Sequence, residues 1–377
     1  MIDRKQNNLW YRRLDDAMRE LGGFFNAHLH LDRAGTLDEI YMEDIGHRIL
    51  DTSHISLHAK HSLITSLHRG RAYEPGDFIP RVNRFIDDLV AVKTRRADTL
   101  VDITDDCVGM RAFRMMREIK EARRGEIDLR LGAYSPFGFE KNSSAPWELI
   151  VEGAREADFI AALPEADEID EYPTHIGFEE HCRRMLLLAK ELGKPLHVHT
   201  DQRNEPSEAG TERLIKVIRE VGGPVSATGE TMIWAVHLIS PSTYDEKRFR
   251  AMVEGMVECG VGLITCPSAA IGMRAYRPIL TPAYNSIPRV LEMLAAGIHV
   301  RVGSDNISDI CSPNSTADLV DELFVLSAAL RFYHPGILAR MGAGLLLTAE
   351  EREFVAAHLA ANEAEVAKFI AQSGRPS

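Results

Sequence analysis

Between residues 23 and 304 the chain alternates short apolar runs with longer segments of helical periodicity. The short runs fall near 23–31, 98–104, 128–134, 158–163, 195–200, 233–238, 261–266 and 298–303 and read as strands. After Gly76, the residues Phe78, Val82, Phe85, Ile86, Leu89 and Val90 recur at helical spacing and predict one buried stripe. Phe178, Cys182, Met185, Ala189 and Leu192 predict another, stopped by Gly193 and Pro195. Leu214, Ile215, Ile218 and Val221 run up to Gly222, and Phe249, Met252, Met256 and Val257 precede Gly260. Ile287, Val290, Leu291 and Leu294 precede Gly297.

The strand runs are continuously apolar rather than alternating, so both of their faces are buried. That is the pattern of a parallel sheet covered by helices. About eight strand–helix units fit a closed α/β barrel of the (β/α)8 TIM type. A doubly wound open sheet is the rival, but neither GxGxxG nor GxxxxGK[ST] occurs. Beyond the last strand, Thr348 and Glu351 form a capping box before "FVAAHLAANEAEVAKFIA". With no internal repeat or composition break, one domain over 1–377 is expected, its barrel core at about 23–310 and C-terminal helices at about 315–372.

Composition narrows the choice of partner. The chain is 45% hydrophobic and 27% charged, as globular domains are. No apolar run approaches the ~18 residues of a membrane span, and the polar start "MIDRKQNNLWYRRLDD" is unlike a secretion signal. A cytoplasmic location is expected. The net charge of −12 comes without a basic block, which argues against nucleic acid and anionic membrane surfaces. Five scattered cysteines without a CxxC pair suggest neither a disulfide framework nor a thiolate zinc site. A small-molecule substrate is the expected partner, and homo-oligomerisation stays open.

The candidate chemistry lies where polar residues interrupt buried strands. In "FFNAHLHLDRAGTL", His28 and His30 stand at i and i+2 and face one direction near the end of the first strand. Barrel enzymes build their sites at that end. The fifth strand, "PLHVHTDQRNEP", carries His197 and His199; the sixth, "MIWAVHLIS", ends in His237; the eighth, "IHVRVGSDNISD", ends in Asp305. Imidazoles and a carboxylate converging from four strand ends suit a divalent ion, Zn²⁺ first and Fe²⁺ second.

The pieces "NAHLHLD", "LHVHTDQ", "AVHLIS" and "VGSDNISD", in this order, resemble the amidohydrolase superfamily and within it the cytosine-deaminase-like branch. The resemblance covers residues 23–310 and implies a mononuclear metal site held by His28, His30, His199 and Asp305. It implies His237 as the nearby base or orienting group and selects His199 over His197 as the fifth-strand ligand. Binuclear relatives carry a bridging lysine at the end of strand four; "FIAALPEAD" has none, so one ion is expected. Two departures stand out. Cytosine-type relatives carry a glutamate three residues after the fifth-strand ligand, where this chain has Gln202, an amide that cannot carry a proton at neutral pH. Only residues 1–22 precede the first strand, so the N-terminal β-sandwich of many relatives is not expected.

The resemblance implies a hydrolase attacking a C–N bond of a small nitrogen compound, either a cyclic or linear amide or an aminated heterocycle. Hydrolytic deamination and a catalytically silent metal-binding barrel are the alternatives. Asp305 is expected to take and return the proton of the attacking water, with Gln202 able to hydrogen-bond substrate. Arg33, Asn306 and Phe137 are candidate substrate contacts, with Phe139 a second ring beside Phe137. The segment "HISLHAKHSLITSLHRG" reads as a lid whose His54, His58, His61 and His68 share a helix face. "PEADEIDEYP" reads as a solvated acidic loop.

Overall fold

The computed structural model describes residues 7–373 except 47, 52, 53, 56 and 274–284. All eight expected strands are present: β1 (Phe24–Leu29), β2 (Thr94–Asp102), β3 (Asp128–Tyr134), β4 (Phe159–Ala162), β5 (Leu196–Thr200), β6 (Ile233–His237), β7 (Val261–Thr265) and β8 (Val300–Val302). They form one sheet in the order β1 to β8, every neighbouring pair parallel. Helices connect successive strands, giving the (β/α)8 barrel the periodicity predicted.

Departures from the expected pattern have local causes. β2 starts at Thr94, four residues before the apolar run, because Arg96 is accommodated inside. Its guanidinium lies 4.2 Å from the Phe25 ring centroid and donates twice to Asp98, so a charged residue can begin a buried strand. Val90 and Val257 belong to the predicted stripes by spacing but are 36% and 52% exposed, at the outer edge of their helices. The helix expected from Ile287 begins at Val290, two residues past Pro288, with Ile287 still buried. The capping box forms reciprocally: Thr348 N–H donates to Glu351 Oε2 at 2.8 Å and Glu351 N–H to Thr348 Oγ1 at 3.2 Å. It opens the helix Ala349–Ser373. Among the described residues no helix is long and apolar enough to cross a membrane.

The barrel closes between β1 and β8 along a short seam. Leu29 and Asp305 form an isolated parallel bridge, and Asp305 N–H donates to the His28 carbonyl at 2.9 Å. Below it the Asn26 side chain supplies the missing ladder: Nδ2 donates to Ser304 Oγ at 2.8 Å, and Oδ1 accepts from Ser304 N–H at 3.1 Å. Gly303 permits this approach. A Cβ on it would sit 2.7 Å from both the Cβ and the carbonyl oxygen of His28, and 2.9 Å from its nitrogen.

Gly303→Ala is therefore expected to push β8 off β1 and cost about 1–3 kcal/mol of stability, the usual range for overpacking. Thermal denaturation together with metal analysis checks it. A fully stable variant that binds metal like the wild type would contradict this account of the seam.

Candidate metal centre

On β1, β6 and β8 a local backbone feature accompanies the polar strand end. From Asn26 to Leu29, β1 advances three residues while β2 advances from Ala97 to Thr99, a bulge that falls at His28. His237 and Asp305 take positive φ values of 76° and 59°, sparsely populated for non-glycine residues and costly unless the surroundings enforce them. On β5 no distortion is needed, because His199 already points inward two residues beyond His197.

The result is a buried cluster of four imidazoles and a carboxylate. His28 Nε2 lies 3.3 Å from His199 Nε2 and 3.6 Å from Asp305 Oδ1, and His30 Nε2 lies 3.5 Å from the same oxygen. The two imidazole–carboxylate separations exceed good hydrogen bonds. They match the edge of a coordination shell: two donors each ~2.1 Å from one ion at a tetrahedral angle stand about 3.4 Å apart. Candidate ligand atoms of His28, His30 and His199 lie within 4.8 Å of one another, as do those of His28, His237 and Asp305. His199 Nδ1 lies 2.9 Å from the Ala162 carbonyl, to which it can only donate, so its Nε2 lone pair faces the cluster. Burial holds His30 and His199 well below the ordinary imidazole pKa, which favours neutral rings that each keep one nitrogen lone pair for a cation. Burial alone would raise the pKa of Asp305, but the nearby imidazoles of His28, His237 and His30 outweigh it and hold the group well below the usual carboxylate range. The donor set fits a divalent ion.

Beneath His30 runs a polar network. Arg33 Nη2 lies 2.6 Å from His30 Nδ1, and Nη1 lies 3.7 Å from Asp102 Oδ2. Asp102 also meets His68 Nε2 at 3.1 Å and its N–H donates to Asp32 Oδ2 at 2.9 Å, while Tyr73 Oη donates to Asp32. His68 Nδ1 lies 2.7 Å from Asp106. Burial lowers the His68 pKa, but the two carboxylates more than compensate and bring it to about 9. Those same contacts press Asp106 down to about 2 against its own burial.

A cavity of about 1560 Å³ lies over the cluster, with His30, His199, His237 and Asp305 in its wall. Of the candidate contacts, Arg33, Phe137, Gln202 and Asn306 also line it. Arg33 is buried in the network just described, and Asn306 Nδ2 donates to Asp309 at 2.5 Å. Phe139 does not join Phe137: it is buried against Trp147 and His181. His197 is packed one layer deeper, its ring centroid 4.4 Å from that of Phe159. The histidine-rich segment is not one helix face. It breaks at Leu63 between the helices Leu57–Ser62 and Ile64–Arg69, sending His68 inward to the carboxylates while His54 and His61 line the cavity. The side chain of His58 lies outside the described residues.

The acidic segment after β4 is not simply solvated. It folds into a turn of 3-10 helix, Pro164–Asp167, with Pro164 and Asp167 buried and Glu165 facing the cavity. Glu165 was hidden in the sequence by the acidic run around it. The available signal was its place just beyond the β4 end, level on the rim with Gln202 beyond β5.

Comparisons with known proteins agree with the fold. No protein-family model matches the sequence. An uncharacterised protein of Haemophilus influenzae is 30% identical over 281 residues, covering 73% of this chain and 94% of its own length. A pterin deaminase of Rhizobium rhizogenes is 22% identical over 226 residues, which are 59% of this chain and 47% of that protein. The crystal structure of 5-methylcytosine deaminase from Klebsiella pneumoniae with 5-fluorocytosine superimposes with a TM-score of 0.68 at 20% identity, over 82% of this chain and 69% of that one. The chain shares the barrel fold of that structure, and its four strand-end motifs stand in the order that resembles the amidohydrolase superfamily. This chain and the Haemophilus influenzae protein are members of one family.

Two measurements follow from this geometry. His199→Ala is expected to weaken zinc binding by about 100-fold or more, since loss of a supporting partner alone costs 10–100-fold, whereas His237→Asn retains the metal; equilibrium dialysis with elemental analysis reads both. The His68 contribution to stability is full below the unfolded imidazole's ~6.5 and lost as pH rises through about 9. Denaturant titrations across that range should show the alkaline decline in the wild type and its loss in His68→Asn.

Proposed function

We propose that this protein is a metal-dependent hydrolase of a C–N bond in a small nitrogen heterocycle, acting by hydrolytic deamination. The observation that carries the reading is the spacing of His28, His30, His199 and Asp305, too long for good hydrogen bonds and right for shared coordination. The ligand groups of the cluster share His28, which favours one ion, and the imidazole-rich donor set favours zinc. A divalent ion held there lowers the pKa of water from 15.7 to about 7 and so supplies a nucleophile at neutral pH.

The chain's own residues would do the rest. Asp305 accepts the proton of the attacking water, and His237, buried beside it, orients that water toward the substrate. The Phe137 ring offers a face to a planar heterocycle, while the side chains of Gln202 and Asn306 offer hydrogen bonds to its edge. A cavity of about 1560 Å³ admits a bicyclic ring as readily as a monocyclic one. Pterins and methylated cytosines, named for the two relatives above, are thus both reasonable first substrates. One domain carries all of these groups, and the chemistry requires neither nucleic acid nor a membrane.

The zinc-loaded protein is expected to release ammonia from at least one member of a panel of cytosines, aminotriazines and pterins. Chelation should lower that rate by at least about 100-fold, in keeping with the several kcal/mol that a catalytic metal contributes, and added zinc should restore it. Loaded protein that is inert towards the whole panel would refute deamination and leave the silent barrel.

A further inference from the structure

The proposed reaction needs a proton carrier beside the ring nitrogen next to the amine-bearing carbon, and the amide of Gln202 cannot be it. Its neighbour can. Gln202 Nε2 donates to Glu165 Oε2 at 2.9 Å, so the two side chains lie side by side on the rims of β5 and β4. The other carboxyl oxygen, Oε1, is buried and has no hydrogen-bond partner among the described residues. Leaving such an atom unsatisfied is costly, a cost that a purely structural carboxylate would avoid by pairing. Glu165 lines the same cavity as His199, His237 and Asp305.

Resting on the deaminase reading, we propose that Glu165 is the catalytic acid–base, with Gln202 holding it in place. The carboxyl stands at the end of β4 rather than of β5, where the pattern the sequence resembles carries it, and the proton route crosses from β5 to β4. The surroundings suit the role. Burial, then the charges of Glu208 and Asp201, raise the Glu165 pKa well above the ordinary carboxyl value, while Arg203 and the Gln202 hydrogen bond oppose them. That environment favours the protonated form, the one the role needs.

The proton count closes. As the water oxygen bonds to the amine-bearing carbon, one water proton passes to Asp305 and the Glu165 proton passes to the adjacent ring nitrogen. The C–N bond then breaks: the amine leaves as ammonia with the proton from Asp305, and the remaining hydroxyl proton returns to Glu165. The products are a ring carbonyl, a ring N–H and ammonia, and both carboxyls are restored.

Three measurements test this. First, Glu165→Gln should lower kcat by about 10²–10⁴-fold, the span of general acid–base catalysis, with metal content unchanged and the alkaline limb of kcat/KM lost. Second, the exchange variant Glu165→Gln/Gln202→Glu, which moves the acid across the hydrogen bond, should regain at least about tenfold of that loss, one unit of effective barrier near 1.4 kcal/mol. A residue that merely positioned Gln202 would not be rescued this way. Third, difference infrared spectroscopy should find a protonated carboxyl in the wild type at neutral pH that Glu165→Gln lacks. A single variant with near wild-type turnover, an exchange variant without rescue, or an ionised Glu165 in the infrared would each overturn the assignment. Wild-type inactivity on the substrate panel strikes the deaminase reading instead, and the infrared measurement still decides the protonation of Glu165.

Discussion

The closure of β1 onto β8 is the constraint on which the site depends. His28 and His30 leave the chain near its start and Asp305 nearly three hundred residues later, yet a single backbone hydrogen bond, Asp305 N–H to the His28 carbonyl, joins their strands. That bond sets the height of the carboxylate relative to both imidazoles. Asn26 braces the seam with two side-chain bonds to Ser304, in place of the longer ladder that β8 is too short to form. Gly303 lets the backbones meet at a distance no Cβ could tolerate. The remaining strands hold His199 and His237 in register through ordinary parallel pairing, so the whole constellation follows from closing the cylinder.

Closing a cylinder around polar side chains creates an electrostatic problem, and the residues nearby answer it. Below the cluster, Arg33 stands between His30 and Asp102, while Asp32 and Asp102 share one buried region. Burial and the Asp102 charge push the Asp32 pKa up to about 7, whereas Arg33 and His68 help to keep Asp102 ionised. One carboxyl is thereby inclined to protonation and its neighbour to charge, which limits the repulsion between them. On the opposite wall Glu165 is treated like Asp32: burial and like charges favour its neutral form. The cavity thus sets a carboxylate whose imidazole neighbours favour its charge against a carboxyl, beside an amide, whose burial favours its neutral form.

Much of the fold was legible because burial leaves a periodic trace. Eight apolar runs became eight strands, and the stripe Phe178, Cys182, Met185 and Ala189 became a helix face capped by Gly193 in a left-handed conformation. Spacing alone could not tell a helix's buried centre line from its margin, which is why Val90 and Val257 point outward. Histidine spacings of three, four and seven suggested one helix face, but the chain turns at Leu63, and the pairing of His68 with Asp102 and Asp106 is a long-range contact that no local window records. Acidic composition around Glu165 spoke for solvent, because charge density averages over neighbours and conceals the one side chain that faces inward.

By itself the sequence determined the strand–helix alternation, the cap sites and the placing of imidazoles and a carboxylate at strand ends. These are properties of contiguous residues and need only local sterics and the segregation of apolar from polar groups. Only the tertiary structure decided which strand ends meet, and therefore that Asp305 faces His28 and His30, that Arg33 is spent on a buried network, and that Glu165 stands against Gln202. Those pairings join residues from different strands or from opposite ends of the chain, and the distances between such atoms exist only once the barrel has closed.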